Sequence, residues 1–235
     1  EKIIKYFNEK KFLKISKISK QIIKIYKEDP NIWKILILSE LYLNNLNKAE
    51  NYIKNLISFN ESAENFYLQG NILKLQNKFE ESIVAYEKAI SLKKNFPEAY
   101  NNLANSQKNL NLIENAILSY KKSINFKQNL EAHFNLANLY YNEKKFNEAL
   151  ENYKEVLKIN KNFVKAITAI GQIYSILGNF NLAKEYFLDS INKDPLYTET
   201  YVNYVTTRKI FKDDEILNNI KIVLKENALS NQQKQ

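Results

Sequence analysis

Residues 130–163 read LEAHFNLANLYYNEKKFNEALENYKEVLKINKNF. Within them Phe146, Ala149, Leu150, Tyr153, Val156 and Leu157 follow spacings of three, four and seven, which lays them along one face of an α-helix. The pattern predicts a first helix over about Glu131–Glu143, a second over Asn147–Ile159, and a turn around Asn142–Lys145. One such length to either side, the same pattern returns. Small residues stand at Gly70, Ala104, Ala137 and Gly171, separated by 34, 33 and 34 positions. Ser82, Ala116, Ala149 and Ala183 repeat those separations, as do Tyr86, Tyr120, Tyr153 and Phe187. So do Phe79, Ile113, Phe146 and Phe180, and Ile90, Ile124, Leu157 and Ile191. Self-similarity at a fixed period of this length is the mark of a stacked helical array. The one missing residue falls between Phe126 and His133, in a turn, where a deletion costs least.

Composition narrows the chemistry. The 235 residues include three Gly, three Pro, no Cys and one His. So few turn-formers argue against an all-β fold. Without Cys there are no disulfides, thiolate zinc sites, iron–sulfur clusters or cysteine nucleophiles. One His leaves little room for zinc or triad chemistry, and the balance points away from catalysis, cofactors and metals. The formal charge is +9, but Arg208 is the single Arg. Bidentate reading of phosphate, carboxylate or guanine favours Arg over Lys, so nucleic acid is not the expected partner. Residues 1–29 hold nine Lys against four acids and read as a solvated basic face.

The column residues carry a family resemblance. Residues 63–226 resemble tetratricopeptide (TPR) repeats, whose 34-residue unit has a bulky residue at position 4, Leu at 7, a small residue at 8, an aromatic at 11, Ala at 20, an aromatic at 24, a small residue at 27 and often Pro at 32. Residues 130–163 supply His133, Leu136, Ala137, Tyr140, Ala149, Tyr153 and Val156. Residues 164–197 supply Ile167, Ile170, Gly171, Tyr174, Ala183, Phe187, Ser190 and Pro195. An earlier unit starts near Pro30 with Trp33, Ala49 and Ile53; a divergent last one starts at Thr198 with Tyr201 and Tyr204, its second helix carrying Ile216, Leu217, Ile220, Val223 and Leu224. Gln69, Gln107 and Arg208 depart from the pattern. The resemblance implies an all-α fold, a right-handed TPR superhelical solenoid of about six helix-turn-helix repeats. It would occupy residues 1–226 as one domain: a partial repeat over 1–29 with a helix around Phe12–Ile25, then 30–62, 63–96, 97–129, 130–163, 164–197 and 198–226, with a polar tail at 227–235.

In TPR proteins the first helices line a concave groove through positions 2, 5, 9, 12 and 13, with 6 nearby. Carried over, position 9 is Asn71, Asn105, Asn138 and Gln172, and position 6 includes Asn102, Asn135 and Asn203. Position 5 is Tyr67, Asn101, Phe134 and Thr168; position 12 is Lys74, Lys108, Tyr141 and Ser175. Amides both donate and accept, so a ladder of them suits the backbone of an extended peptide. The expected function is a non-catalytic scaffold whose groove binds a protein or peptide. The charged-tail clamp of chaperone-binding TPR domains is incomplete: Asn101, Asn105, Asn135, Lys165 and Ala169 lack its first Lys and its Arg.

The remaining features are structural expectations. His133 and Trp33 fit helix–helix contacts, and Asp213–Glu215 fits an acidic helix start. Lys212–Gln235 resembles the joining segment of TPR–sulfotransferase fusions, which supplies the alternative reading: a substrate-recruiting N-terminal arm of a larger sulfotransferase or glycosyltransferase. RNA binding, by analogy with pentatricopeptide repeats, is disfavoured by the scarcity of Arg. The first residue is not Met and falls inside a helical pattern, which suggests a piece of a longer chain. No stretch approaches 18 apolar residues and no leader is visible, so a cytoplasmic location is expected.

Overall fold

A computed structural model of the chain describes residues 6, 9–126 and 129–207. Among them are twelve helices and no strand: α1 (Phe12–Ile22), α2 (Pro30–Tyr42), α3 (Leu46–Phe59), α4 (Ala63–Leu75), α5 (Phe79–Leu92), α6 (Pro97–Asn109), α7 (Ile113–Phe126), α8 (Leu130–Asn142), α9 (Phe146–Ile159), α10 (Val164–Ile176), α11 (Phe180–Lys193) and α12 (Thr198–Thr206). From α2 to α11 first helices have 13 residues and second helices 14. The helix expected to reach Ile25 stops at Ile22, because Ile25 is 76% exposed and Tyr26 58%, so a further turn would bury nothing. Expectations for Lys2, Lys5, Arg208, Asp213–Glu215, the second helix of the last repeat and Lys212–Gln235 lie outside the described residues.

One backbone device ends the first helices α2, α4, α6, α8 and α10. Asn44, Asn77, Asn111, Lys144 and Gly178 occupy the same repeat position, and all have φ between 57° and 77°. The next residue then donates its N–H five residues back: Asn45 to Glu40, Lys78 to Leu73, Leu112 to Gln107, Lys145 to Tyr140 and Asn179 to Tyr174, at 2.8–2.9 Å. This is the Schellman closure, which satisfies a carbonyl the helix end would leave orphaned. Asn and Gly tolerate the left-handed region best. Lys10 has φ 54°, and Lys11 N–H donates to the Tyr6 carbonyl at 2.9 Å. The same turn therefore precedes α1, which marks α1 as the second helix of its repeat.

The molecule divides into two compact units, residues 1–129 and 130–235. In the first, α1 packs on α2, and the hairpins α2–α3, α4–α5 and α6–α7 follow in order. Its core holds Ile37, Ala49, Ile53, Leu56 and Ile72, with Trp33 and Leu41 against them, then Ala63, Ala89, Phe96 and Ala99. The second unit packs α8–α9 on α10–α11 and closes with α12. There Ala183, Phe187, Ile191, Tyr201 and Tyr204 form one cluster. The small column is small for a local reason: a Cβ on Gly70 would lie 2.5 Å from the Tyr86 ring, and one on Gly171 2.7 Å from the Phe187 ring. The four repeats from α4 to α11 thus fill a similar volume with a small residue on the first helix and a large ring on the second, and the α2–α3 repeat fills it with Ile37 and Ile53.

Departures from the apolar pattern are compensated by polar partners. Gln107 is buried, and its Oε1 accepts from Ser119 Oγ at 2.8 Å. Thr168, Ser190 and Thr200 place three buried hydroxyls within 2.7–2.8 Å of one another. Glu40, only 1% exposed, stands where the family pattern has an aromatic. Burial alone would raise its pKa; bonds from Lys20, Ser16 and Asn45 outweigh that and hold it below the usual carboxylate value. Two of those partners sit on α1, so this carboxylate ties α1 to α2. Lys10, Lys14 and Lys17 are exposed, as a solvated face requires.

Glu50 supplies a pH-dependent contribution. Lys54 and Lys78, at 2.5 and 2.8 Å, hold its pKa down to about 2 from 4.5. A depressed folded value stabilises the fold above the unfolded pKa, and that stability is lost as pH falls from about 4.5 toward 2. The full difference would correspond to about 3 kcal/mol. Lys54 and Lys78 are 54% and 39% exposed, so screening leaves about 1–2 kcal/mol. Urea titrations at pH 7 and pH 3 should show Glu50→Gln losing less stability on acidification than the parent; equal losses would show that Glu50 contributes nothing to the acid limb.

Candidate functional site

The residues expected at a groove lie on first helices. In unit 1, Tyr67, Asn71 and Lys74 are on α4, and Asn101, Asn102, Asn105 and Lys108 are on α6. In unit 2, Phe134, Asn135, Asn138 and Tyr141 are on α8, and Gln172 is on α10. All are half-buried except Asn101, which is 3% exposed and has little surface to offer a ligand. Thr168 is likewise withdrawn into the buried hydroxyl cluster.

The amides do not stand alone. Asn71 Oδ1 accepts from Tyr86 Oη at 2.8 Å, Asn105 Oδ1 from Tyr120 Oη at 2.6 Å, and Asn138 Oδ1 from Tyr153 Oη at 2.6 Å. Each bond joins position 9 of a first helix to position 24 of its own second helix. Burial pushes the Tyr86 and Tyr153 phenols far above their usual pKa, so both keep their protons and donate. In the sequence these tyrosines stand out only as members of a repeating aromatic column. A signal for the pairing was present fifteen positions apart: Asn occurs at position 9 where position 24 is Tyr, Gln172 pairs with Phe187, and Leu38 with Ile53.

Unit 1 extends the contact between repeats. Asn102 Nδ2 donates to Tyr67 Oη at 3.0 Å and to Asn71 Oδ1 at 2.9 Å, while Asn102 Oδ1 accepts from Lys74 Nζ at 2.9 Å. In unit 2 the residue equivalent to Asn102 in the α10 repeat is Ala169, and no such bridge forms there. Tyr67 rests on the rings of Tyr86 and Phe96 at 6.0 and 4.9 Å. Phe134 meets Tyr153 and Phe163 in the same way at 5.9 and 5.0 Å. Tyr141 packs edge-on against Phe146 at 5.9 Å. His133 is engaged structurally, with Nδ1 3.1 Å from Asn152 Oδ1, and Trp33 Nε1 donates to the Lys27 carbonyl at 2.6 Å. Among the described residues no helix is long and apolar enough to cross a membrane.

Hairpins of constant length, closed by one turn type and stacked in order, define an all-α helical-repeat solenoid. Tetratricopeptide repeat models match residues 97–129, 130–163 and 164–195, and a TPR repeat model matches residues 70–111, so the matches run over more than half of the sequence. The chain belongs to the tetratricopeptide repeat family. No curated protein matches it in sequence. Among solved structures, MamA is 20% identical with a TM-score of 0.63, over 66% of this chain and 92% of that one. YrrB, described as a TPR protein with an unusual peptide-binding site, is 19% identical with a TM-score of 0.63, over 78% and 96%. The C-terminal part of a TPR repeat-containing protein from Cytophaga hutchinsonii is 14% identical with a TM-score of 0.72, over 92% and 97%. At these identities the likeness is one of fold.

Proposed function

We propose that the chain is a non-catalytic protein-interaction scaffold that binds an extended peptide segment along the exposed side of its first helices. The observation that carries this is the half-buried layer of amide, aromatic and Lys side chains on α4 and α6, cross-bonded through Asn102. A layer fixed before binding loses little side-chain freedom when a ligand arrives, which favours affinity. The aromatic members supply apolar area and the amides orient the backbone. The peptide-binding site described for YrrB supports the same reading.

The test is a set of immobilised twelve-residue peptides probed with the whole chain. Removing Lys74 and Lys108 together is expected to cost bound peptides roughly tenfold, equivalent to about 1.4 kcal/mol. Val84→Asp and Leu118→Asp lie on second helices at exposed sites and should leave binding within twofold. The opposite pattern would move the site off the first helices.

A further inference from the structure

Two second helices of unit 1 carry the same row of side chains. It reads Glu80, Val84, Lys88 on α5 and Glu114, Leu118, Lys122 on α7. Residues four apart lie above one another on a helix, so each row sets an acid, an apolar side chain and a base in line. All six are exposed, Val84 at 66% and Leu118 at 60%. The repeat itself does not demand this row. Its equivalents are Asn47, Asn51 and Asn55 on α3, Asn147, Glu151 and Glu155 on α9, and Asn181, Glu185 and Asp189 on α11. Each apolar member also stands on the wall of a hollow. Val84 shares one of about 410 Å³ with Phe66, Gln69 and Leu73. Leu118 shares one of about 340 Å³ with Tyr100, Leu103 and Gln107, and Ile90 of α5 lines its other side. The two Lys are held alike: Lys88 Nζ is 5.7 Å from the centre of the Phe66 ring, and Lys122 Nζ is 5.7 Å from that of Tyr100. Lys88 also approaches Glu61 at 4.0 Å. Projecting apolar side chains beside hollows, repeated in adjacent repeats, make a surface able to interlock with another of its own kind.

We propose that the exposed face of α5 and α7 is a docking surface for a second copy of this chain, bound antiparallel about a twofold axis. The order of charges selects both the occupant and its direction. With Val84 laid opposite Leu118 of the partner subunit and the helices antiparallel, Glu80 meets Lys122 of the partner subunit and Lys88 meets Glu114 of the partner subunit. Glu81 then falls beside Lys121 of the partner subunit. The twofold axis makes each of these contacts twice, as an isologous interface requires. A parallel arrangement would set Glu on Glu and Lys on Lys along both rows, and such like-charge contacts are costly. The chain's net charge of +9 drives two copies apart in general. This face is an exception: repeat positions 18, 19, 22, 25 and 26 of the two helices hold Glu80, Glu81, Glu87 and Glu114 against only three Lys. The contact is small, in the class of transient association. It uses second helices, so it leaves the proposed peptide face on the first helices of unit 1 untouched.

Sedimentation equilibrium of the whole chain, from about 5 to about 500 µM, covers the range in which a weak dimer forms. The parent should pass from one chain to two and no further, because an isologous contact closes on itself. Val84→Asp with Leu118→Asp should weaken the dimer by about tenfold or more, with the circular dichroism of the parent retained, since both sites are exposed. Ile25→Asp, at a site 76% exposed outside this face, should leave the dimer within about twofold of the parent. Glu80→Lys with Glu81→Lys should weaken it by about tenfold, and so should Lys121→Glu with Lys122→Glu. An equal mixture of those two double variants puts opposite charges across the contact again, and should associate far more tightly than either alone. A parent that stays single throughout, including one whose face takes up another protein instead, overturns the inference. So does a dimer that survives the Val84 and Leu118 substitutions, association running past two chains, a mixture no tighter than its components, or an equal loss in Ile25→Asp. Peptide binding is read separately, so neither result decides the other.

Discussion

Ala149→Asp is expected to cost about 3–5 kcal/mol, the range for an unpaired charge placed in a core. Ala149 is 0% exposed on α9, with Tyr153 and Val156 buried along the same face. Its counterparts Ala49, Ser82, Ala116 and Ala183 are also 0% exposed, so the column is buried along both units. The tolerated exception shows what the site demands. Ser82 keeps a hydroxyl there because its Oγ lies 2.8 Å from both the Phe79 carbonyl and Ser106 Oγ. A carboxylate at 149 can use the first kind of partner only as a donor, which at neutral pH it is not. Ala149→Ser, able to donate to its own helix as Ser82 does, should cost about 1 kcal/mol. Urea titration of the three proteins gives the comparison, and a midpoint for Ala149→Asp equal to the parent's would mean that the column faces solvent.

Gly70→Val is expected to cost about 2–4 kcal/mol. A first carbon on Gly70 already falls 2.5, 2.6 and 2.9 Å from three atoms of the Tyr86 ring. Tyr86 is fully buried and cannot swing aside. Overpacking of this kind costs about 1–3 kcal/mol, and displacing the ring breaks its hydroxyl's bond to Asn71, worth about 1 kcal/mol more. Gly70→Ala should be milder, since Ala104 and Ala137 hold the same position in repeats that carry Tyr120 and Tyr153, and Ala gains about 1 kcal/mol of helix propensity over Gly. Gly178 is the control. It has φ 77° and nothing within 4 Å of the added carbon, so Gly178→Asn, the residue used at Asn44, Asn77 and Asn111, should be close to neutral. Thermal unfolding that ranks Gly178→Asn below Gly70→Val would invert this account of the two glycines.

Much of the architecture was legible in the residue order because helical repeats are local objects. The period that places Phe146, Ala149 and Tyr153 on one face is set by 3.6 residues per turn, and it fixes each hairpin without knowledge of distant contacts. The 34- and 33-residue separations then fix the order of stacking. Near Pro30 the columns are sparse, and the structure gives that unit the same helix offsets as the rest: α2 to α3 and α4 to α5 both begin 16 residues apart. Asn at the turn position was visible, but its left-handed backbone and the Schellman bond it permits depend on geometry, as the Lys at 144 shows.

The candidate site divides differently. Residue order placed Asn71, Asn102, Asn105 and Lys74 on first helices and gave the three asparagines the chemistry of two-way amides. Which end of the Asn71 amide faces outward was decided by tertiary structure. A hydrogen bond is set by distance and direction between atoms, and here the deciding atoms come from elsewhere: the Tyr86 hydroxyl from a second helix, and the Asn102 amide from the next repeat. The same holds for burial. Asn101 carries the same side chain as Asn105 on the same helix, but it is 3% exposed while Asn105 is half-buried, because four residues along a helix differ in what packs over them and not in their own chemistry.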